Sequence, residues 1–224
     1  MSEETPSAET PLDLRSTSLA AINAQLRQLD EQAAEVHILG ATGQAGLASG
    51  IAQGIKVSVT GQVGAFFGLL NAGGDLELNG DCGAGCGHSM SAGGILVRGQ
   101  AGHALAAFAR GGFIGVHGSA KDACGLALAG ADIVVRQSVG ARAAERMQSG
   151  HLVLGSDAGA ELGKDAIGGT IYLRGTAASV SDQLQEVRMR ESDAMRLGLL
   201  LVRAGIKGNA KDFRVYRPRV KSEA

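Results

Sequence analysis

The sequence predicts an all-β solenoid, a right-handed parallel β-helix of about eight coils with a 19-residue period, and three observations carry that expectation. The first is a repeat. Gly61, Gly80, Gly99, Gly118, Gln137, Ser156 and Gly175 stand nineteen residues apart, and three positions after each come Gly64, Gly83, Gly102, Lys121, Gly140, Gly159 and Ala178. Phase kept over seven copies marks a repeat architecture. The second is a pair of apolar positions ahead of each copy. Val57, Leu76, Ile95, Ile114, Ile133, Leu152 and Ile171 form one series, and Val59, Leu78, Val97, Val116, Val135, Leu154 and Leu173 the other, all branched aliphatics. Apolar residues two apart read as a strand with one buried face. The third is composition: 45% of residues are hydrophobic, yet only 3% are aromatic and tryptophan is absent. A narrow coil interior admits aliphatics, Ala and Cys and few rings.

Within one repeat, the residue before the glycine position points outward: Thr60, Asn79, Arg98, His117, Arg136, Gly155 and Arg174. The rest of the repeat is too short and glycine-rich for a helix, and the glycines are expected to provide positive-φ corners. Further inward positions lie six residues after the glycine (Phe67, Cys86, Leu105, Cys124, Ala143, Leu162) and ten after it (Met90, Ala109, Leu128, Met147, Ala166). One repeat therefore reads as a strand, a corner, a second short strand and a return turn. A left-handed hexapeptide helix is disfavoured because the six-residue step from Val57, Val63 and Leu69 lands on Asp75. Calcium-binding nonapeptide rolls require regular aspartates that this chain does not have. At ~4.8 Å per coil the stack is expected to be roughly 40 Å long.

Around the stack, 1–32 reads as an acidic arm and an N-terminal capping helix, 33–180 as the β-helix, and 181–224 as a C-terminal helix and basic tail. The arm is MSEETPSAETP. The first helix places Leu19, Ile22, Leu26 and Leu29 on one stripe, with Thr17 or Ser18 as its cap. The first coil is irregular, Gly40 lying twenty-one residues before Gly61, as suits the end of a stack that must not offer open edges. The second helix is expected to be capped by Ser192 and closed by Gly205. Its Met195, Leu197, Leu199, Leu200 and Val202 make it apolar around much of its girth, which points to burial against the stack or a partner. The tail interleaves Lys207, Lys211, Arg214, Arg217, Arg219 and Lys221 with Phe213 and Tyr216, and reads either as a solvated terminus or as an arm on another subunit.

The search for chemistry nominates no catalytic, cofactor-binding or metal-ligating residue. Net charge is −1, so no general attraction to nucleic acid or membrane is expected. Without a membrane-length apolar run or a signal-peptide core, the cytoplasm is the expected location. Cys86 and Cys124 share a phase two coils apart, ~10 Å along the stack and beyond the reach of a disulfide. Cys82 and Cys86 share one coil without a second pair, so all three cysteines are read as structural and buried. The G-x-G-x-G at Gly83–Gly87 leads into another coil, not the helix that a dinucleotide fingerprint needs. His37, His88, His103, His117 and His151 fall at five phases. The outward stripe Arg98, Arg136 and Arg174, with His117, reads as a solvated face or as a binder of an acidic surface.

The coils GDCGAGCGHSMSAGGILVRG and GSDAGAELGKDAIGGTIYLRG resemble the GXGXG β-helix that forms the C-terminal domain of glutamate synthase large subunits, over about residues 33–180. The flanks LDLRSTSLAAINAQL and NAKDFRVYRPR resemble the free-standing form of that domain. It occurs as a separate subunit in glutamate-synthase-like complexes, especially N-methylglutamate synthase (methylamine–glutamate N-methyltransferase) of methylotrophs. The resemblance implies a non-catalytic subunit without its own cofactor, joining a glutamine-amidotransferase-like subunit to an FMN-binding, iron–sulfur glutamate-synthase-like subunit. Lys121, Gln137, Ser156 and Ala178 depart from the corner glycines of the motif. The same scaffold role in an ordinary glutamate synthase stays open as an alternative, as does the β-helix subunit of formylmethanofuran dehydrogenase and of the related formyltransferase/hydrolase complex, which shares the coil motif.

Overall fold

A computed structural model describes residues 11–29 and 35–219. Nearly all of the acidic arm, and the end of the basic tail including Lys221, lie outside these residues. Eight strands form a parallel ladder: β2 (Glu35–Gln44), β3 (Lys56–Val63), β4 (Ala72–Asn79), β5 (Ala92–Val97), β6 (Phe113–Val116), β7 (Ala129–Val135), β8 (Ser149–Leu154) and β9 (Thr170–Leu173). The fold is the parallel β-solenoid that the nineteen-residue period demands. From β3 to β9 the register sets Val57, Leu76, Ile95, Ile114, Ile133, Leu152 and Ile171 one above another, all buried. Like side chains stacked at every level fill the interior with one continuous apolar column, the dominant favourable term in such a fold.

The irregular first coil keeps its place by bulging. Ile38 pairs with Val59, Ala41 with Gly61 and Gln44 with Val63, so the offset falls from twenty-one through twenty to nineteen. Each step is one extra residue, absorbed near Gly40 (φ +74°) and Gly43 (φ +111°). Strand β1 (Leu12–Asp13) pairs in parallel with β2. Helix α1 (Leu19–Gln28) starts at Ser18, whose side chain accepts the Ala21 N–H, and buries Ile22 and Leu26. Asn23 then donates to the Gly46 carbonyl and accepts the Ala48 N–H. The Asn23 amide thereby satisfies the Ala48 N–H, whose equivalent in the next coil, Gly68 N–H, donates to Leu47 O of the coil beneath.

Glycine corners recur as expected at the start of the strands, as at Gly93 (φ +83°), Gly112 (+87°), Gly150 (+94°) and Gly169 (+86°), but the expected second strand is a different structure. Positive φ falls five, seven and nine residues after the glycine position, as at Gly85 (69°), Gly87 (66°) and Ser89 (56°), and fourteen non-glycine residues among those described adopt it. An L-residue there costs about 1–2 kcal/mol. The compensation is a ladder of alternating direction: Gly85 N–H donates forward to His103 O, Gly87 N–H back to Phe67 O, and Ser89 N–H forward to Ala107 O, each at 2.8 Å. Every second residue is left-handed, so alternate peptide planes face opposite neighbours, while intervening groups such as His88 N–H and Gly85 O bond within the arc. The series beginning Gly64 needs glycine for a different reason. A Cβ at Gly83 would sit 2.7 Å from Ala65 N, against the backbone of the coil beneath. Lys121 nevertheless holds the register, with Ala120 bridged to both Ala101 and Val139.

The C-terminal end closes by reversal. β10 (Leu184–Val187) and β11 (Arg214–Pro218) extend the sheet in the order β9–β11–β10, β11 being antiparallel to both neighbours. The segment Arg214–Pro218 of the basic tail is therefore a strand of the chain's own sheet, while Lys207 and Lys211 ahead of it are exposed. Phe213, Val215 and Tyr216 are buried on the chain's own stack.

Candidate interaction surfaces

The strand wall has an outer column that the period also fixes: Ser58, Glu77, Leu96, Gly115, Val134, Val153 and Tyr172. It begins polar and ends apolar. Helix α2 (Glu191–Arg203) lies over the apolar half, and Phe113, Val134, Val153 and Tyr172 form a second core with Leu197, Leu200, Leu201 and Ala204. Thirteen residues at ~1.5 Å span about 20 Å, which matches the four strand spacings from β11 to β6 at ~4.8 Å each. Burial pushes the Tyr172 phenol up to about 12.

Both ends of α2 are pinned. The cap residue is Arg190, two residues earlier than the expected Ser192, because Asp193 accepts the Arg190 N–H at 2.9 Å. Asp193 is itself buried, and its other oxygen accepts from Arg217 of β11, whose Nε donates to Thr170 Oγ1 at 3.2 Å. At the other end Gly205 N–H donates to Val202 O and Ile206 N–H to Leu201 O, a left-handed glycine closure. His117 Nε2 bonds Ala204 O at 2.8 Å. His117 thus departs from the solvated face on which its phase placed it and anchors the helix instead.

With its inner side occupied, α2 turns Met195, Leu199 and Val202 to the outside, 67%, 62% and 79% exposed. Their i, i+4, i+7 spacing makes one apolar stripe. On the opposite wall of the coil, the left-handed arc carries a second apolar surface. Phe66, Leu70 and Phe108 are exposed there, and the His88 ring lies between the two phenylalanines at 5.9 and 5.3 Å. Ser89 Oγ and His88 Nδ1 are 2.8 Å apart, which fixes the ring. The walls are opposite because the core lies between them: the space beside Gly68 is filled by Leu76 and Ile95 of the strand wall. Further along the stack the same arc turns ionic, with Lys164 bound to Glu161 at 2.7 Å and Arg142 3.8 Å from Glu145. Apolar patches rimmed by polar surface mark protein contacts.

The remaining expected residues are dispersed. Cys82, Cys86 and Cys124 are free and buried. Burial pushes the Cys124 thiol up to about 12, and the contact with Cys82 together with burial raises Cys86. Gly83–Gly87 lies in an arc, as expected of coil glycines. His37 is exposed, His103 lies 3.7 Å from Asp122, and His151 Nδ1 meets Asp132 at 2.7 Å beside Tyr172. Of the arginine stripe, Arg98 pairs with Glu77 at 2.8 Å and Arg174 with Asp212 at 3.4 Å. Among the described residues no helix is long and apolar enough to cross a membrane, and no three His, Cys, Asp or Glu side chains gather as metal ligands. The α2 stripe was partly visible as the helix's apolar girth, whereas the exposed Phe66, Leu70 and Phe108 had no periodic signal.

Fold and surfaces together define a capped parallel β-solenoid with apolar faces on opposite walls. No family model matches the chain, and no curated protein sequence matches it.

Proposed function

We propose that this chain is a non-catalytic assembly subunit of a glutamate-synthase-like complex of the N-methylglutamate synthase type. In that reading the partners convert glutamate and methylamine to N-methylglutamate and ammonia. This chain joins a glutamine-amidotransferase-like subunit to a synthase subunit that carries FMN and iron–sulfur clusters. The observation that carries the proposal is the pair of exposed apolar faces, Phe66–Leu70–Phe108 on one wall and Met195–Leu199–Val202 over the other. Two such faces separated by a packed core can hold two partners apart at a fixed distance, as a bridging subunit requires. The coil and flank resemblance supports the choice of complex.

The test is co-expression with an amidotransferase-like and an FMN synthase-like subunit, followed by assay of methylamine-dependent N-methylglutamate formation. The three chains should co-purify in fixed ratio and activity should require this one. Leu199→Asp and Phe108→Asp, each on an exposed position, should release different partners. Full activity from the other two chains alone, or flavin bound to this chain purified by itself, overturns the reading.

A further inference from the structure

The outward column before the glycine position reads Arg136, Gly155, Arg174 on three successive coils. Gly155 leaves a gap between two arginines whose backbones lie ~10 Å apart along the stack. A cavity of 160 Å³ opens at that gap, walled by Val153 and by Ile206 and Phe213 from the segment after α2, with Lys207 as a third cation. Its space equals about five waters' share of liquid volume. Three cationic residues line this pocket of mixed polar and apolar surface, with Asp212 as the one carboxylate paired to any of them among the described residues, 3.4 Å from Arg174. The nearby α2 carbonyls add no repulsion, since Leu201 O and Val202 O are taken by the closing turn and Ala204 O by His117.

We infer that this cavity is a binding site for a small aliphatic carboxylate, its anionic head between Arg136 and Lys207 and its short stem on Ile206 and Phe213. Guanidinium groups match a carboxylate's planar geometry, and like charges held close together are relieved by an anion between them. The apolar part of the wall, Ile206 with Phe213, distinguishes the ligand from a bare inorganic ion. This inference rests on the cavity alone and stands or falls separately from the assembly role.

The full chain is titrated with butyrate, with butyramide as its uncharged counterpart, and with inorganic phosphate at matched ionic strength, each followed by amide shifts in NMR spectra. Butyrate should shift Gly155 and Ile206 saturably, and butyramide should not. Arg136→Gln and Lys207→Gln should each weaken butyrate about tenfold, as expected for losing one charge-assisted contact, while the thermal midpoint stays unchanged because both side chains are exposed. Three results overturn the inference: butyramide acting like butyrate, phosphate binding as tightly as butyrate, or butyrate affinity unchanged in both variants.

Discussion

Replacing Val153 by Ala tests whether α2 belongs to the fold or merely rests on it. By alternation Val153 faces outward on β8, yet it is 0% exposed within the cluster it shares with Tyr172, Leu197 and Leu200. The substitution removes two methyl groups, worth ~0.8 kcal/mol each in transfer. The incompletely collapsed cavity brings the loss to about 2–3 kcal/mol. For a chain of this size that corresponds to a fall of roughly 4–12 °C in thermal midpoint. Arg136→Ala, on an exposed outward position nearby, should stay within about 0.5 kcal/mol of the parent. Calorimetry gives the midpoints, and hydrogen exchange locates the damage: amides of Leu197 to Leu201 should exchange faster, while those of Ile114 to Val116 keep their protection. A shift below ~1 °C with α2 exchange unchanged would refute the claim that the outer wall is a second core.

Ile114→Asp places a charge in the stacked column at a site 0% exposed and should prevent stable folding, whereas His117→Ser removes one bond to α2 and should cost about 1 kcal/mol in urea unfolding. Equal effects would contradict the inward and outward assignment. The Thr176 backbone N–H, then its hydroxyl, hold the Asp157 carboxyl below its ordinary range. A depressed folded value means that its contribution is complete above the unfolded pKa of about 3.9 and fades as pH falls through the folded one. Thermal scans of Asp157→Asn should show a smaller midpoint loss between pH 5 and 2 than the parent, and parallel acid limbs would exclude this coupling. Folded protein at pH 8 should react slowly with a thiol-directed disulfide reagent and release all three thiols in guanidinium, since burial holds Cys124 protonated. A rapidly reacting thiol in the folded state would mean that its coil is open.

How far the sequence could be read depended on whether the controlling contact repeats. The inward columns starting at Val57 and Val59 were legible because each residue packs on its own equivalent nineteen positions away. The left-handed arc was not. Arg142, Glu161 and Phe66 occupy backbone positions that sequence logic reserves for glycine, because inter-coil bonds outweigh the local strain. The docking of α2 did leave a signal that alternation obscured. Val57-Ser58-Val59 and Leu76-Glu77-Leu78 have one apolar face, but Ile133-Val134-Val135, Leu152-Val153-Leu154 and Ile171-Tyr172-Leu173 have two. A strand apolar on both faces is covered on both. The pairing of β11 with β9 joins residues about forty apart once only, so no periodicity announces it. Of the surface residues, Met195, Leu199 and Val202 could be named from helical spacing. Lys207 joins Arg136 and Arg174 only through the turn that ends α2.

The strand order β9–β11–β10 has a consequence for biosynthesis. Each coil from β3 to β9 can settle on its predecessor as soon as it emerges, since its partners were translated nineteen residues before. β10 has no such seat: the place beside β9 belongs to β11, which is made later, and β10 pairs only with β11. A nascent chain paused between Val187 and Arg214 therefore holds a finished stack with an open last edge, and with Val134, Val153 and Tyr172 bare until α2 arrives. Synthesis of the final strand converts that exposed intermediate to the closed form in one step, so the interval before it is when the chain most needs a chaperone or an early partner.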